Sequence, residues 1–249
     1  MISNGDYAVE TEGLTRRFGS FVAVDGVTLK IPKGQLYGFL GLNGAGKTTM
    51  IRMLTTLLPP SAGAATLWGH HIVKEPLAVR KLVGLVSDET SESQSTWTAR
   101  EYLRYFARIR HHSNPADEVE RILDSVHLDV RFRGKLIGTY STGMKRRVEI
   151  ARALMGNPKV LFLDEPTRGL DLPAKREMWN LLRDLAKREQ VTTFLSSHDA
   201  QEIRNLCSEI SVIAKGKLVY TGATRDLGTD ADAFEERLIE LLTHGASAE

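Results

Sequence analysis

The sequence lacks several features that would place it in a specialised class of protein. Only one of its 249 residues is a cysteine, so Cys207 has no partner for an internal disulfide bond. No stretch approaches the roughly 18 consecutive apolar residues that a membrane-spanning helix needs. Residues 1–12 carry Asp6 and Glu10 where a signal peptide has an apolar run. We therefore expect a chain that neither crosses a membrane nor is exported.

The chain also has little excess charge of either sign. It contains 33 Lys and Arg residues against 31 Asp and Glu residues, which gives a formal net charge of +2. Such a balance produces no strong field toward nucleic acid or acidic lipid, but it leaves a local basic patch open, so charge alone names no partner. No nucleic-acid partner is expected. With 42% hydrophobic and 26% charged residues, the composition is typical of a globular protein that can bury a core of its own.

The hydrophobic periodicity predicts an α/β chain. Val27, Leu29 and Ile31 alternate with polar residues, which indicates an antiparallel β segment before the turn at residues 32–34. The pattern becomes helical after residue 46 as far as about Leu58. The other predicted elements outside the central region are strands over 65–68, 83–86, 160–163 and 191–196, a helix opened by Pro173, a helix over 200–206, a hairpin at 215–216 and a helix near 234–242.

The region from about 90 to 157 is predicted to be entirely helical. Residues 87–96 are all polar and are expected to form an exposed connection into this region. Thr98 and Glu101 then fit a capping box. The helix that follows is expected to place Tyr102, Phe106 and Ile109 on one face. A second predicted helix carries apolar residues at 119, 122, 123 and 126. A third runs from about 141 to 154. We interpret this region as a helical insertion in an α/β chain.

A glycine-rich motif after the buried segment 35–40 carries the clearest chemistry. Residues 41–48 read Gly-Leu-Asn-Gly-Ala-Gly-Lys-Thr, which matches the phosphate-binding loop in its strand, loop and helix setting. Its glycines let backbone amides converge on phosphate oxygens at a helix N-terminus. Lys47 is expected to contact the β and γ phosphates, and the Thr48 hydroxyl to bind Mg²⁺. The candidate nucleotide-binding residues here are Gly41, Asn43, Gly44, Ala45, Gly46, Lys47, Thr48 and Thr49.

Two adjacent carboxylates follow the predicted strand over 160–163. Asp164 is expected to hold the Mg²⁺ shell, because a carboxylate at the carboxyl end of such a strand faces the phosphate site. Glu165 can then polarise the attacking water as a general base. The alternative is that both acids only cap the turn at residues 166–167, and the presence of Lys47 upstream favours the catalytic interpretation.

The motifs occur in an order that resembles a known family. They are the phosphate loop at 41–48, the Tyr-Ser-Thr-Gly-Met segment at 140–144, the acidic pair at 164–165, the Gly-Leu-Asp segment at 169–171 and His198. This set is similar to the motifs of ATP-binding cassette (ABC) ATPases over residues 8–222. The segment 140–147, which ends in Arg146 and Arg147, most resembles the same segment in cassettes of the ABC-2 exporter type, which serve bacterial drug, lipid or sodium efflux systems.

The resemblance implies a fold and a domain organisation. The fold is a P-loop NTPase of α/β class with an N-terminal antiparallel β subdomain and an inserted α-helical subdomain. It places one ATPase domain at residues 1–226, with the helical signature subdomain at about 90–157 inserted in the catalytic lobe. Residues 227–249 would be a short C-terminal helix and tail.

The resemblance also implies roles for single residues. Phe18 matches the aromatic that stacks on adenine, and the alternative that it is a core residue stays open. Ser141 and Gly143 match the signature positions that reach the γ phosphate of ATP held by the other subunit. Asp171 matches the loop that communicates across the dimer, although it also fits an N-cap before Pro173. His198 matches the switch histidine that senses the γ phosphate, so Lys47, Glu165 and His198 are the candidate catalytic residues.

The sequence departs from the family pattern at two positions. The family usually has Gln between the catalytic lobe and the helical subdomain, and the matching position here is Asp88, because Gln94 comes too late. Asp88 is thus a candidate Mg²⁺ ligand whose charge would repel the γ phosphate. The signature carries Thr142 where the commonest form has Gly, while Gly143 is retained.

Other polar groups are not expected to form sites. Neighbouring histidines on a strand or helix do not face one metal, so His70-His71 and His111-His112 are not predicted ligands. The basic residues on the third insertion helix indicate a solvated or ion-paired face rather than a nucleic-acid surface. They are Arg146, Arg147 and Arg152.

The sequence thus predicts an ATP-hydrolysing subunit of an ABC transporter that uses ATP and Mg²⁺. The resemblance implies a head-to-tail dimer with a second copy or a paralogous cassette, an integral membrane permease docked near residues 87–97, and a place at the cytoplasmic face of the membrane. One alternative is a soluble ABC ATPase in translation or DNA processing, but the long coiled-coil or basic insertions of such proteins are missing. A P-loop kinase or GTPase would leave the signature segment unexplained.

Overall fold

The computed structural model describes residues 6–87, 95–110, 114–189 and 191–244. Its strands are β1 (Tyr7–Phe18), β2 (Phe21–Pro32), β3 (Leu36–Leu40), β4 (Ala62–Leu67), β5 (His70–His71), β6 (Val83–Val86), β7 (Val160–Asp164), β8 (Thr192–Ser197), β9 (Glu209–Ala214) and β10 (Lys217–Ala223). Its helices are α1 (Lys47–Leu54), α2 (Pro76–Leu82), α3 (Ala99–Ile109), α4 (Pro115–Ser125), α5 (Thr142–Leu154), α6 (Leu172–Glu189), α7 (Ala200–Leu206) and α8 (Ala231–His244).

The strands form two sheets. The first is antiparallel with the order β2-β1-β4-β5. The second has the order β10-β9-β3-β8-β7-β6 and is parallel except for the β9–β10 hairpin. Because β3, β7 and β8 are parallel neighbours, the residues that follow them meet at one edge of the sheet. These residues are Gly41, Glu165 and His198. The predicted α/β fold with an N-terminal antiparallel subdomain is confirmed.

The inner strand β7 separates two hydrophobic cores. Its side chains alternate, since Val160 and Phe162 pack with β1, β2 and α1, whereas Leu161 and Leu163 pack with the helices on the other side. All four side chains are fully buried. A strand covered on both faces is continuously apolar, as the sequence showed. This packing holds the carboxyl end of β7, and hence Asp164, in a fixed position.

The helical insertion is present as α3, α4 and α5. The predicted capping box is confirmed, because the Thr98 side chain accepts from the Glu101 amide while the Glu101 carboxylate accepts from the Thr98 amide. The predicted apolar face of α3 is wrong at Ile109, which is 52% exposed. The buried positions are Ala99, Leu103 and Ala107. Small alanines let α3 pack closely, so the aromatic residues lie at the margin of the contact.

The predicted end of the first helix and the predicted start of the strand at 65 differ from the structure. Helix α1 ends at Leu54 rather than near Leu58, because the Thr55 hydroxyl donates back to the Ile51 carbonyl and Thr56 adopts a left-handed φ of 62°. Strand β4 begins at Ala62, earlier than predicted, and pairs there with β1. Strand β5 and helix α2 have no counterpart in the sequence prediction.

The C-terminal part of the described chain packs onto the same core as the insertion. The turn between β9 and β10 has positive φ at Lys215 and Gly216, as a tight hairpin requires. Helix α8 buries Phe234 and Leu238 and begins earlier than predicted, because the Asp230 carboxylate accepts from the Ala233 amide. Over the ranges given above, no helix combines the length and the apolar character needed to span a bilayer.

Candidate nucleotide site

The glycine-rich loop connects β3 to α1 at the edge where the parallel strands end. The Gly41 amide donates to the Ser197 carbonyl at 3.2 Å, which ties the loop to the end of β8. Gly46 has a φ of +110°, and a Cβ atom there would lie 2.4 Å from the Ala23 carbonyl oxygen. Only glycine can occupy this position, since both the dihedral angle and the close approach exclude a side chain. The loop is therefore shaped by the chain before any nucleotide binds.

The Lys47 side chain lies under the loop and is only 6% exposed. Its Nζ donates to the carbonyl oxygens of Gly41 at 2.6 Å and Leu42 at 3.2 Å. It also lies 3.1 Å from Oε1 of Glu165. The ammonium group is thus buried among oxygen atoms, where a phosphate oxygen would replace some of them.

Thr48 and Asp164 meet at the start of α1. The Thr48 hydroxyl donates to Oδ2 of Asp164 at 2.7 Å, and the Ser196 hydroxyl donates to Oδ1 at 2.5 Å. This brings a hydroxyl and a carboxylate oxygen together beside the phosphate loop. Mg²⁺ binds through few protein oxygens and takes its other ligands from phosphates and water, so these residues fit the ion. The sequence prediction missed Ser196, whose position at the end of the neighbouring strand was its only signal.

Glu165 and His198 form a direct pair. Nδ1 of His198 lies 2.6 Å from Oε2 of Glu165, and the direction of this hydrogen bond depends on the histidine tautomer. The Glu165 amide donates to the Ser196 carbonyl at 3.1 Å, and the residue adopts a left-handed φ of 51°. Its other oxygen, Oε1, is buried and accepts no hydrogen bond, although Lys47 lies near it. A buried carboxylate oxygen without a hydrogen bond is available to a water molecule.

The signature residues lie apart from this cluster. Ser141 caps α5, since its hydroxyl accepts from the Met144 amide at 3.2 Å. Ser141 and Gly143 line a cavity of about 180 Å³, whereas Thr48 and Asp164 line another of about 170 Å³. The structure therefore brings together the candidate phosphate, magnesium and base residues, and it does not bring the signature residues to them within one chain.

Gly143 is not required by the packing of its own chain. A Cβ atom there would lie 3.8 Å from Cβ of Ala174 and 4.0 Å from Leu170, which are ordinary contact distances. Its φ is not in the left-handed region either. Neither space nor dihedral angle within this chain explains a glycine in the first turn of α5.

The two other residues implied by the resemblance occupy exposed positions. Asp171 is an N-cap, because its Oδ1 accepts from the Ala174 amide at 2.9 Å. Phe18 is 46% exposed, which excludes the alternative of a core residue. The Arg16 guanidinium covers it at 4.6 Å from the ring centroid.

The remaining predictions concern other polar groups. Asp88 lies outside the described residues, as do Gln94 and the pair His111-His112. Among the side chains that are described, no cluster of three or more His, Cys, Asp or Glu has a metal-binding arrangement. His70 instead lies 2.9 Å from the Glu75 carboxylate.

The basic face of α5 is ion-paired, as the sequence suggested. Arg147 lies 2.8 Å from the carboxylate of Glu177, and Arg152 lies 3.3 Å from that of Glu149. Arg146 is buried rather than solvated.

Comparison with known proteins identifies the family. A family model described as ABC transporter matches residues 24–168. The bacitracin transport ATP-binding protein BcrA of Bacillus licheniformis is 40% identical over 85% of this chain and 68% of its own length. The chain belongs to the ABC transporter family. As an ABC ATPase, it binds and hydrolyses ATP as the ATP-binding subunit of a transporter.

Further relatives agree with the predicted subtype. The daunorubicin/doxorubicin resistance ATP-binding protein DrrA of Streptomyces peucetius is 37% identical over 97% of this ABC ATPase and 72% of its own length. The solved structure of cbiO1 from Clostridium perfringens, part of the ABC transporter complex cbiONQ, matches with a TM-score of 0.81 at 26% identity. That match covers 94% of this chain and 93% of the other. The resemblance to ABC-2 exporter cassettes is confirmed by the first two relatives.

Proposed function

We propose that this ABC ATPase hydrolyses ATP with the residues that meet at the carboxyl edge of the parallel sheet. The observation that carries the proposal is the continuous contact from Lys47 to Glu165 and from Glu165 to His198. Lys47 and the amides of the phosphate loop bind the β and γ phosphates. Thr48 and Asp164 hold Mg²⁺, which when bound neutralises charge on the phosphate oxygens.

Glu165 acts as the general base. Its Oε1, which accepts no hydrogen bond and lies 3.1 Å from Lys47, accepts a proton from the attacking water, while Oε2 stays bound to His198. His198 thereby fixes the orientation of the carboxylate and lies where it can contact the γ phosphate. When phosphate oxygens bind Lys47, its contact with Glu165 weakens, and the Glu165 carboxylate becomes available as the base. Positioning and charge neutralisation supply the rest of the acceleration, as in other phosphoryl transfers.

A complete site would combine the phosphate loop of one chain with the signature residues Ser141 and Gly143 of another. It therefore requires a second cassette, either a second copy or a paralogue. Ser141 and Gly143 are exposed or half-buried and lie in a cavity that the phosphate loop does not line. The N-terminus of α5 offers a hydroxyl and backbone amides to an anion. In a head-to-tail dimer these groups reach the γ phosphate held by the other subunit, with Phe18 stacked on adenine and Asp171 beside the interface. Binding of two ATP molecules closes the dimer, and hydrolysis reopens it.

The substitution Gly143→Ala separates stability from activity. Replacing a helical glycine by alanine raises stability by about 0.5–1 kcal/mol, because the unfolded chain loses freedom and the chain itself leaves room for Cβ. The methyl group would displace the γ phosphate of the partner's ATP, and a shift of this size lowers turnover on the order of 10- to 100-fold. Thermal unfolding and steady-state ATP hydrolysis measure the two effects. An alanine variant with wild-type turnover would remove the role assigned to Gly143.

The permease is proposed to dock in a groove between the catalytic lobe and the helical subdomain. The groove encloses about 240 Å³ and is lined by Leu57, Arg80, Phe106, Arg110 and Arg152 among others. Its centre is positively charged, because Arg80 and Arg110 have no carboxylate within ion-pair distance among the described residues.

Exposed apolar side chains lie in this groove and on the neighbouring helix α3. Leu57, which lines the groove, is 63% exposed, and Trp97, Tyr105 and Ile109, on or just before α3, are 40%, 51% and 52% exposed. Trp97 and Tyr105 contact each other edge to face with ring centroids 5.8 Å apart. An amphipathic cytoplasmic segment with one acidic side chain fits a groove of this kind. The cassette then sits at the cytoplasmic face of the membrane and drives export.

Charge reversal at the groove tests this docking. We expect the double substitution Arg80→Glu and Arg110→Glu to reduce copurification with the co-expressed permease at least about tenfold, because two attractive contacts become repulsive. ATP turnover of the isolated cassette should stay at the wild-type level, since neither residue contacts the nucleotide site. Arg225→Glu, at a side chain that is 90% exposed elsewhere, is the matched control. Undiminished copurification of the double variant would rule out this groove.

A further inference from the structure

A buried carboxylate behind the catalytic pair has no part in the function proposed above. The Glu202 side chain, on α7, is 0% exposed. Burial raises the pKa of its carboxyl above the ordinary value, and hydrogen bonds from Ser197, Thr167 and Trp179 act in the opposite direction. A carboxyl group in such a place costs free energy unless its oxygens are satisfied. Its retention behind a catalytic site therefore calls for a physical reason.

The polar side chains around the Glu202 carboxyl come from three separate segments of the chain. The Ser197 hydroxyl, at the end of β8, donates to Oε2 at 2.6 Å. The indole Nε1 of Trp179, on α6, donates to Oε1 at 3.3 Å. The buried Thr167 side chain, in the loop after β7, also lies close enough to Glu202 to lower the pKa of its carboxyl. One carboxyl group thus joins a strand end, a helix and a loop.

The first of these contacts leads to His198. The Ser197 hydroxyl that donates to Glu202 also accepts from the Asp199 amide at 3.0 Å. Asp199 in turn accepts from the Glu202 amide at 3.1 Å and binds Lys175 at 2.8 Å. Hydrogen bonds therefore fix the residues on both sides of His198, and with them the position of the His198 backbone.

The third contact leads to Glu165. Thr167 lies two positions after Glu165, and the Arg168 amide closes this turn by donating to the Glu165 carbonyl at 3.1 Å. The 2.6 Å contact between Glu165 and His198 joins side chains that come from two different loops. It persists only if the two loops keep their relative positions, and Glu202 binds both.

We propose that Glu202 is a positioning residue for ATP hydrolysis, which holds the loop of Glu165 and the loop of His198 in register through Thr167 and Ser197. The proposal rests on the roles proposed above for Glu165 and His198. Glu202 itself contacts neither nucleotide nor water. Its effect is to keep the base oriented toward the attacking water, where a displacement of about 1 Å costs on the order of 100-fold in rate.

The substitution Glu202→Gln tests the proposal. Glutamine keeps the shape, but its amide group places new donors among hydroxyl and indole donors that already point at the site. We expect kcat for ATP hydrolysis to fall about tenfold or more through misplacement of the base. We expect KM for ATP to change less than about twofold, because the phosphate loop is tied to the backbone carbonyl of Ser197, which the variant keeps. A general loss of folding would instead lower the active fraction, which titration of bound nucleotide reports.

Two further variants keep the test decisive. Glu149→Gln alters another buried carboxylate, 2% exposed and paired with Arg152, and should lower stability without changing kcat. Ser197→Ala breaks only the link to His198 and should reproduce the kcat loss even if Glu202→Gln folds poorly. The double variant of Ser197 and Glu202 should be no worse than the more severe single one, since the Ser197 hydroxyl acts through its contact with Glu202.

Several outcomes would overturn the proposal. These are a wild-type kcat in folded Glu202→Gln or in Ser197→Ala, an equal loss of kcat in Glu149→Gln, and full additivity in the double variant. Glu165→Gln assayed in parallel separates this failure from failure of the proposed function. If Glu165→Gln is inactive while Glu202→Gln turns over normally, only the positioning role is lost.

Discussion

The substitution Glu165→Gln is expected to abolish ATP hydrolysis while ATP binding is retained. Loss of a general base costs about 10²- to 10⁴-fold in rate, and the amide cannot accept the proton of the attacking water. Glutamine has the same shape and can still bond His198, so the site should keep its geometry. Removing the negative charge next to Lys47 also favours the binding of phosphates. The variant should therefore accumulate as an ATP-bound dimer that closes and does not reopen.

Two measurements check this expectation. Steady-state phosphate release gives the turnover, and size-exclusion chromatography with and without ATP and Mg²⁺ gives the oligomeric state. Glu240→Gln, at a carboxylate that is 56% exposed on α8, is the matched control and should hydrolyse ATP normally. If Glu165→Gln retains wild-type turnover, the proton acceptor is another group and the role assigned to Glu165 is wrong.

The parts of the site that depend on local sequence could be predicted. The phosphate loop, the acidic pair after β7 and the cap of α5 follow from residue types at fixed spacings, and Lys47, Asp164 and Ser141 occupy the expected elements. The buried strand β7 was recognisable because a strand covered on both faces is continuously apolar. These features need no knowledge of which segments are neighbours in space.

The parts that depend on strand order could not be predicted. Ser196 reaches Asp164, and Glu202 reaches Thr167 in the loop after β7, only because β8 lies beside β7 in the sheet. Their side chains are common types with no distinctive spacing. The face of α3 was misjudged at Ile109 for a similar reason, since small alanines were preferred at a close helix contact. Tertiary packing, rather than local periodicity, decided these positions.

The substitution Lys47→Ala should have two separate effects, on nucleotide affinity and on the stability of the nucleotide-free protein. Each charged hydrogen bond to a phosphate contributes about 1.5–3 kcal/mol, so loss of the ammonium group should weaken ATP binding by on the order of 100-fold or more. Lys217→Ala, at a lysine that is 53% exposed, should bind ATP normally. Fluorescent nucleotide titration measures both. Wild-type affinity in Lys47→Ala would contradict the proposed contact.

The second effect follows from the position of Lys47 next to Glu165. The two side chains are 6% and 12% exposed, and Lys47 is the cation near an oxygen that accepts no hydrogen bond. Removing one partner of a buried pair leaves an uncompensated charge and costs about 3–5 kcal/mol. Lys47→Ala should therefore unfold at lower denaturant concentration without nucleotide, and adding Glu165→Gln should restore most of the stability but none of the turnover. If the double variant is no more stable than Lys47→Ala, the cost arises elsewhere, and Lys47 does not compensate the catalytic carboxylate before ATP arrives.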